Sequence, residues 1–468
     1  MNYPEQESNN VIMKRKVVEG SVLFISILKW LFLATCVGIM VGISTAVFLK
    51  LLGLGIAGAT RYHYYFLLLP AALFLSALIV KVFAPDAEGH GTEKIIEAVH
   101  RHSGKMDVMV VPVKLAATII TIAFGGSAGK EGPAAQIGAA IASTFSGLLR
   151  FNDRDRKKLV ICGISAGFAA VFGTPIAGAL FGVEVLFVGT MLYDVLLPSF
   201  VAGIVGYQVS SALGITYFHE AVSLVPVFSS YFFLKICLAG LFFGLCSLVL
   251  IEMLGLFERL SHRVKVWKPL KGLIGGLALI ILSLLFSTRY LGLGVETIKS
   301  SLEGGSIPGG AFLLKILFTA ITLSFGGSGG IVTPIFFVGA TAGNAFGSVL
   351  GFDPALFGAI GMVALLAGAA NTPISASIMA IELFGPEIAP YAAVACIISF
   401  LMTGHRSVYP SQVLSLSKSS SLKVSKGSEM RDAREVVFEP GQKSISGSIM
   451  RSLEKLKKTK KPDSGPKG

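Results

Sequence analysis

The chain has 468 residues, of which 53% are hydrophobic and 14% are charged. Soluble domains carry about 25% charged residues, so this composition excludes a set of soluble domains and predicts a polytopic helical membrane protein. Much of the formal net charge of +13 lies outside the apolar runs, since residues 411–468 hold thirteen Lys or Arg against six Asp or Glu. Basic residues that flank membrane spans mark cytoplasmic ends. We therefore expect both termini in the cytoplasm and no nucleic-acid partner.

The apolar runs divide the chain into four predicted parts. These are a polar N-terminal segment at 1–20, a first transmembrane repeat at 21–222, a second repeat at 223–410 and a basic tail at 411–468 that we expect to be disordered. Runs of bilayer length lie at 28–54, 65–84, 231–256 and 270–291, and a fifth is formed by 389–402 with the residues that lead into it. The five cysteines lie singly in apolar segments, without the spacing of metal ligands or disulfides, so no metal or cofactor is expected.

Shorter apolar segments separated by polar breaks lie between those runs. His90 lies in a break at 89–93 that opens a short helix, and a densely charged segment at 150–158 predicts a cytoplasmic loop. The apolar segment 159–188 is interrupted at 173–175 and contains Glu184. A carboxylate at that depth should face protein or water rather than lipid.

The most informative break has the sequence GGSAGKEGPAAQIG, from Gly125 to Gly138. It follows an apolar segment at 115–124 that is half the length of a span, and its single carboxylate is Glu131. Pro133 stands where a helix begins, a position that tolerates proline because the first N–H groups have no intrahelical partner. Irregular backbone at membrane depth survives only inside protein or beside a wet cavity, and helix N-termini attract anions. The break is therefore a predicted anion site.

The same pattern recurs 201 residues later, where GGSGGIVTP at 326–334 matches GGSAGKEGP at 125–133. GHGTE at 89–93 is matched by GLGVE at 292–296, and the TPI before Glu184 by the TPI before Glu382. Interrupted segments in the same order in two halves are typical of transporters built from repeats, with the binding site between the halves.

Two other classes of membrane protein fit these residues less well. An intramembrane metalloprotease needs paired ligands such as H-E-x-x-H, and His219-Glu220 has no second histidine four residues after His219, so no enzyme activity is predicted. A cation or metabolite carrier would need more intramembrane carboxylates than Glu131, Glu184 and Glu382.

These motifs resemble those of the CLC family of chloride channels and chloride/proton antiporters. GKEGP at 129–133 resembles the family's G-[KR]-E-G-P signature, GIVTP at 330–334 its G-x-F-x-P signature, and 89–91 falls where its first filter loop lies. The resemblance covers residues 25–410 and implies an all-α fold of inverted repeats, with tilted and broken helices, that forms a homodimer. Too few residues follow 410 for the paired nucleotide-binding modules of many members, so no soluble C-terminal regulatory domain is expected.

The resemblance also implies roles for individual residues. It gives an anion-binding set of backbone N–H groups and polar side chains that comprises His90, Gly91, Gly132, Ile331, Val332 and Tyr409. Glu131 would be the gating glutamate, because a carboxylate tethered at an anion site competes with the permeant anion until protonation removes its charge. Structural alternatives stay open, with Glu131 as a cap of its own helix and Tyr409 as an interfacial aromatic residue.

Three departures from the family pattern bear on function. His90 replaces the filter serine, and imidazole, unlike a hydroxyl, can become cationic. Val185 stands where antiporters carry an inner glutamate, which favours a channel, or an antiporter whose proton path uses water or Glu184. Val332-Thr333 replaces the usual Phe-Ala and, with His90, is similar to the fluoride-exporting branch of the family.

The sequence thus predicts a multi-pass protein of the inner or plasma membrane that transports chloride, a small monovalent anion, as a channel or a chloride/proton antiporter. The alternatives are a fluoride-exporting proton antiporter and a nitrate transporter. The expected partners are the anion, protons in the antiporter case, the lipid bilayer and a second copy of the chain.

Overall fold

The computed structural model describes residues 4–217, 229–419, 421–432 and 437–438. The His219-Glu220 pair, the predicted boundary between the repeats at 222–223 and most of the predicted tail lie outside the described residues. The described part of the chain contains sixteen α-helices and four two-residue strands.

Eight of the described helices lie in each half of the chain. Those of the first half are α1 (Pro4–Ala59), α2 (Leu69–Phe83), α3 (Thr92–Arg101), α4 (Val110–Ala123), α5 (Glu131–Leu148), α6 (Asp153–Phe172), α7 (Pro175–Glu184) and α8 (Tyr193–Ala212). Those of the second half are α9 (Ser230–Arg263), α10 (Lys268–Leu285), α11 (Val295–Leu302), α12 (Ala311–Ser324), α13 (Val332–Leu350), α14 (Pro354–Ala370), α15 (Pro373–Phe384) and α16 (Ala389–Met402). Among the described residues, six helical segments are long and apolar enough to cross a membrane, and the other apolar helices are shorter. The predicted all-α membrane fold with broken helices is confirmed.

The predicted spans correspond to these helices, with differences at their ends. The run at 270–291 is α10 followed by a 3₁₀ turn at Thr288–Tyr290, so the helix ends before the apolar run does. α1 begins at Pro4, so the described part of the predicted polar lead-in at 1–20 continues the first span as one helix. Glu, Gln, Lys and Arg in that segment are good helix formers, which explains the extension.

The charged segment at 150–158 is mostly helix rather than the predicted loop. Asn152 caps α6, because its side-chain oxygen accepts a hydrogen bond from the Asp155 N–H at 2.9 Å. Asp153 and Asp155 lie in the first turn, where carboxylates are stabilised by the helix dipole. Asp155 also accepts a hydrogen bond from Lys29 of α1 at 2.6 Å. A high density of charge therefore marked a helix start here.

The interior of the molecule is formed by α5, α6, α13 and α14, whose side chains are largely buried. α5 packs along α6, and α13 packs along α14 in the same way in the second half. The outer helices expose apolar side chains, such as Phe32 and Leu54 of α1, as expected of a surface that faces lipid. The repeat seen in the sequence is thus a repeat of packed helix pairs.

The chain after α16 folds back onto the membrane domain. Val413–Leu414 (β2) pairs in parallel with Phe187–Val188 (β1), and Leu422–Lys423 (β3) pairs antiparallel with Val437–Phe438 (β4). Met430 is buried. The prediction of a disordered tail from 411 is therefore wrong for its described part up to residue 432, which we call the C-terminal segment (411–432). Contacts with distant residues hold this segment, and a local sequence pattern does not reveal them. Residues 439–468 lie outside the described residues.

Candidate functional site

The two glycine-rich breaks meet in the interior and are hydrogen-bonded to each other. The Gly129 N–H donates to the Gly330 carbonyl at 2.7 Å, and the Gly330 N–H donates to the Gly129 carbonyl at 2.6 Å. This reciprocal pair brings the N-terminus of α5, which begins at Glu131, next to that of α13, which begins at Val332. Because the first N–H groups of each helix lack intrahelical partners, the junction concentrates donors and partial positive charge.

Hydroxyl groups from α4 and α12 fix the two breaks in matching ways. The Ser127 N–H donates to Thr322 Oγ1, and the Ser328 N–H donates to Thr121 Oγ1, both at 3.0 Å. The two contacts are related by the same shift of 201 residues as the breaks themselves. The sequence predictions do not include these threonines, although the repeat offset of 201 residues relates them.

Glu131 reaches across this junction to the other half of the chain. Its side chain is almost fully buried. Its Oε2 accepts a hydrogen bond from the Thr333 N–H at 3.1 Å, and its Oε1 accepts one from the Thr333 hydroxyl. The carboxylate therefore lies at the N-terminus of α13, which is the kind of position that a bound anion takes.

Glycines allow the filter loop before α3 to touch both breaks. Gly91 has a φ of +82°, and a Cβ there would overlap the Gly132 carbonyl. A Cβ on Gly132 would overlap the His90 carbonyl and lie 3.1 Å from the Gly330 Cα. Backbone from three loops thus converges within van der Waals contact, a packing that any larger residue at 91 or 132 would disrupt.

His90 and Tyr409 carry the buried polar atoms that lack partners at this junction. Among the described residues, His90 Nδ1 and the Tyr409 hydroxyl have no hydrogen bond. The two rings lie 6.5 Å apart, and the Tyr409 hydroxyl lies near Thr92, the first residue of α3. Buried polar atoms are nearly always hydrogen-bonded, so these two groups are available to a ligand.

The remaining predicted anion-binding residues lie in the same place. Ile331 and Val332 are fully buried where α13 begins, two residues and one residue before Thr333. All of the residues that the sequence predicts for the anion site and its gate therefore come together here. Their functional roles stay predictions.

A cavity of about 330 Å³ leads to His90 from the junction of α9 and α10. Basic side chains lie along it, among them Lys268, Lys271 and His262. Lys268 is paired with Glu88, which also lines the cavity. Glu258 also lines the cavity, so two carboxylates face the two lysines and the lining carries little net charge.

Two buried lysines hold the loops that precede α3 and α11. Lys114 Nζ donates to the carbonyls of Ala87 at 3.0 Å and Gly89 at 2.6 Å. In the second half, Lys315 Nζ donates to the carbonyls of Tyr290 at 3.0 Å and Gly292 at 2.8 Å. Both side chains are fully buried. The sequence analysis did not identify either lysine, yet Lys114 fixes the backbone next to His90.

Glu184 and Glu382 bind each other's helices. Glu184 accepts hydrogen bonds from the N–H groups of Ile374 at 3.0 Å and Ser375 at 2.8 Å, in the first turn of α15. Glu382 accepts two equivalent bonds in the first turn of α7, at 2.9 and 2.8 Å. This arrangement gives Glu184 a structural role as a helix cap. The predicted place of Glu184 on a proton path stays a prediction.

Comparison with known proteins decides the family. The family model of the voltage-gated chloride channel matches residues 72–404. The chain belongs to the CLC family. A chloride/fluoride channel protein of Pseudomonas syringae pv. tomato is 38% identical over 399 residues, which cover 84% of this chain and 88% of that protein. The voltage-gated ClC-type chloride channel ClcB of Escherichia coli is 31% identical over 340 residues, covering 68% of this chain and 79% of ClcB.

Solved structures agree with this assignment. A CLC-type fluoride/proton antiporter superposes with a TM-score of 0.80 at 28% identity, covering 84% of this chain and 99% of that one. A slow cyanobacterial Cl⁻/H⁺ antiporter superposes with a TM-score of 0.70 at 20% identity, covering 80% of this chain and 94% of that one, which shows the common fold. This CLC protein is therefore a membrane protein that transports anions as a channel or antiporter, and the predicted inverted-repeat fold and transport function are confirmed.

Proposed function

We propose that this CLC protein moves chloride through a pathway that Glu131 opens and closes. The observation that carries the proposal is the position of the Glu131 carboxylate, which accepts hydrogen bonds from the N–H and hydroxyl of Thr333 at the start of α13. A chloride ion bound near His90 and Tyr409 would need hydrogen bonds from the same N–H and hydroxyl groups. The carboxylate and the permeant anion then exclude each other.

Protonation of Glu131 releases the site in this mechanism. The neutral acid has no charge to hold at the helix N-terminus, so the Thr333 N–H becomes available to chloride. Chloride would bind between the Tyr409 hydroxyl, the His90 ring and the backbone N–H groups of Gly132, Ile331 and Val332. Proton binding and anion occupancy are thereby linked, and each changes the affinity for the other.

Fluoride transport is the second candidate. A hydroxyl group, that of Thr333, lies directly at the gate, and fluoride is a strong hydrogen-bond acceptor. The chloride/fluoride channel protein of Pseudomonas syringae and the fluoride/proton antiporter are both among the proteins similar to this one. In this view chloride and fluoride use the same site and the same gate. They differ in how readily the hydrogen-bond donors of the site replace the water that hydrates each ion.

Flux from reconstituted vesicles tests the gate and ranks the anions. Chloride, fluoride and nitrate efflux is measured at a series of pH values for the wild type and for Glu131→Gln. We expect wild-type flux to rise as the pH falls and the Glu131→Gln flux to be nearly independent of pH. Glu303→Gln, at an exposed carboxylate paired with Lys299, serves as the control. An unchanged pH dependence in Glu131→Gln would contradict the gate, whereas fluoride efflux that exceeds chloride efflux would favour the second candidate.

We also propose that both termini face the cytoplasm and that the protein is a homodimer. Lys29, in the first half of α1, binds Asp155, and Lys158 binds Asp194 at 2.9 Å, so this part of α1 lies beside the starts of α6 and α8. The basic residues of the segment at 150–158 lie on the same side of the protein, and loops rich in Lys and Arg face the cytoplasm. Ile176 and Ile374 are 43% and 49% exposed where α7 and α15 adjoin, and they offer an apolar surface to a second copy. Cysteine cross-linking at these two isoleucines tests the dimer, and labelling of a cysteine at Lys158 in intact cells tests the orientation.

A further inference from the structure

Two adjoining cavities lie where α1 ends. The first, which we call the α1–α4 groove, has a volume of about 780 Å³ and is lined by residues within 54–65 and 119–124, at the last turns of α1 and α4. The second, which we call the α11 cavity, has a volume of about 750 Å³ and is lined by residues within 287–297 and by hydroxyl groups around them. Tyr65 and Ala123 line both, so an apolar compartment adjoins a polar one.

The length of α1 places both cavities at the level of the lipid headgroups. Lys29 binds Asp155 at one surface of the protein, and α1 runs from there to Ala59. That stretch of α-helix rises about 45 Å, which matches a bilayer of about 40–45 Å with its headgroups. Tyr62 and Tyr64 follow the helix and are 74% and 65% exposed, and tyrosine is enriched at membrane interfaces. The cavities therefore lie where acyl chains meet headgroups.

Two glycines of α1 shape the α1–α4 groove. At Gly55 the helix touches α4, because a Cβ there would lie 3.0 Å from Ile119 Cγ2. At Gly58, less than one turn further, a Cβ would meet nothing within 4 Å, so open space remains there. Leu54 and Phe124 also line the groove, and Leu54 is 70% exposed. The groove is thus apolar and open toward the lipid, which suits a hydrocarbon chain.

The α11 cavity contains one cationic and one anionic side chain. Arg289 and Glu296 both line it, and both are exposed. Within the part of the chain that the structure describes, neither side chain forms an ion pair. Val295, the first residue of α11, belongs to the same lining, and the N–H groups of a helix's first turn attract phosphate. The cavity therefore complements a zwitterion that carries a phosphate and an amine.

The wall of these cavities touches the first glycine-rich break. The Gly292 N–H donates to the Gly125 carbonyl at 2.9 Å. A Cβ on Gly125 would lie 3.3 Å from the Leu291 side chain and 3.5 Å from that of Tyr65. Leu291 and Gly292 line the α11 cavity. A molecule bound there would hold this loop against the break, so its binding should raise the thermal stability of the protein.

We infer that the α1–α4 groove and the α11 cavity together bind a phospholipid with a primary amine, phosphatidylethanolamine. One acyl chain lies in the groove. Arg289 and the N-terminus of α11 bind the phosphate, and Glu296 binds the ammonium group. A primary ammonium donates hydrogen bonds to a carboxylate, which the trimethylammonium of phosphatidylcholine cannot do, and phosphatidylglycerol has no cation. The site is separate from the proposed gate at Glu131 and does not depend on it.

Lipid binding to the purified full-length protein tests this inference. The protein is stripped of lipid in detergent and titrated with phosphatidylethanolamine, phosphatidylcholine or phosphatidylglycerol, and bound lipid is counted by native mass spectrometry. Phosphatidylethanolamine should bind about threefold more tightly than the other two, which is the effect of an exposed ion pair. It should also raise the melting temperature. Phosphoethanolamine, which is the headgroup without acyl chains, should not raise it at the same concentration.

Variants in the α11 cavity test the headgroup contacts. Glu296→Gln should bind the three lipids equally, because the amine has lost its carboxylate. Arg289→Gln should weaken the binding of all three by about threefold, because each of them carries a phosphate. Glu303→Gln is the matched control, since it alters an exposed carboxylate at the end of α11 that lies outside the cavity lining. It should bind lipid as the wild type does.

Gly58→Leu tests the acyl-chain contact. A leucine there occupies the space of the chain, so the affinity for all three lipids should fall by about fivefold or more. Gly53→Leu is the control, because a Cβ at Gly53 also meets nothing within 4 Å and the residue lies outside the groove lining.

Several results would overturn the inference. These are equal binding of the three lipids to the wild type, a Gly58→Leu variant that keeps its lipid, and stabilisation by phosphoethanolamine alone. Dissociation of the dimer in Gly58→Leu would mean that a second copy of the chain covers the groove. Loss of chloride flux in Arg289→Gln, in vesicles without phosphatidylethanolamine, would assign the α11 cavity to anion entry instead.

Discussion

The glycine-rich breaks at 125–133 and 326–334 have nearly the same backbone and different chemistry. Both follow a half-length helix, both are fixed by a threonine hydroxyl, and each bonds to the other through Gly129 and Gly330. The two halves differ at the positions that follow, where Glu131 corresponds to Val332 and Gly132 corresponds to Thr333. One half supplies the carboxylate and the other supplies the donors that bind it. A symmetric scaffold thus brings the two helix N-termini together, and a difference of two residues places the Glu131 carboxylate against the Thr333 donors, as the proposed gate requires.

The largest effect should come from removing the buried lysines. Lys114→Met and Lys315→Met each leave two buried carbonyls without a donor, at a cost of about 3 kcal/mol in the free energy of unfolding. Because the two contacts are equivalent, we expect similar losses of stability in thermal unfolding of the detergent-solubilised protein. Only Lys114→Met should also weaken chloride binding, because Lys114 holds the loop that carries His90.

Exposed Lys299→Met is the control for both lysine variants and should leave stability and flux unchanged. Equal losses of chloride binding in Lys114→Met and Lys315→Met would contradict a functional difference between the halves. A variant that does not fold at 25 °C is compared by its yield of folded protein instead.

A substitution of Thr333 tests the donor side of the comparison. Thr333→Val keeps the shape of the side chain and removes the hydroxyl that donates to Glu131. Hydrogen bonds to charged groups contribute about 1.5–3 kcal/mol, and 1.4 kcal/mol corresponds to one pH unit. Since the lost donor favoured the charged carboxylate, protonation becomes easier, and the activation of chloride flux by acid should move about one unit toward higher pH.

Thr341→Val is the control for that shift, because Thr341 lies in the same helix and bonds only to carbonyls within it. Its pH–flux profile should match that of the wild type. A profile shifted toward lower pH in Thr333→Val would mean that the hydroxyl does not stabilise the charged carboxylate.

The scaffold itself could be predicted from the sequence, because it depends on glycines, prolines and apolar length. The shift of 201 residues placed both breaks, and Pro133 and Pro334 marked the helices that begin there. What the sequence did not reveal depends on contacts between distant residues. A lysine in an apolar helix, such as Lys114, gives no sign of the two carbonyls that it binds, and Glu93 gives no sign that the Ser411 hydroxyl donates to it.

The C-terminal segment (411–432) shows the same limit. It is rich in Ser and Lys, a composition typical of disordered tails. It is ordered by partners far away in the chain, such as Arg101 for Glu429, and by a strand pairing of only two residues. Neither hydrophobic periodicity nor secondary-structure propensity can predict contacts between residues so far apart in the chain.

The equivalence of the two breaks is tested by their threonines. Thr121→Val and Thr322→Val each leave one buried N–H, that of Ser328 or Ser127, without its acceptor. Each should lower the free energy of unfolding by about 1 kcal/mol, measured by urea unfolding in detergent, and neither should shift the pH dependence of flux. A much larger loss for one of them would mean that the scaffold is less symmetric than its hydrogen bonds.

The smallest expected effect concerns the filter loop, where His90 in the first half corresponds to Leu293 in the second. His90→Ser exchanges an imidazole for a hydroxyl at an unpartnered buried position, so it changes the donor that an anion meets while a donor remains. We expect the chloride-to-fluoride permeability ratio to change by about threefold, or roughly 0.6 kcal/mol, with total flux largely kept. Leu293→Ser, which alters the equivalent loop outside the anion site, should leave the ratio unchanged. Identical ratios in His90→Ser and the wild type would mean that the ring does not contact the ion, and the difference between the halves would then be confined to Glu131 and Thr333.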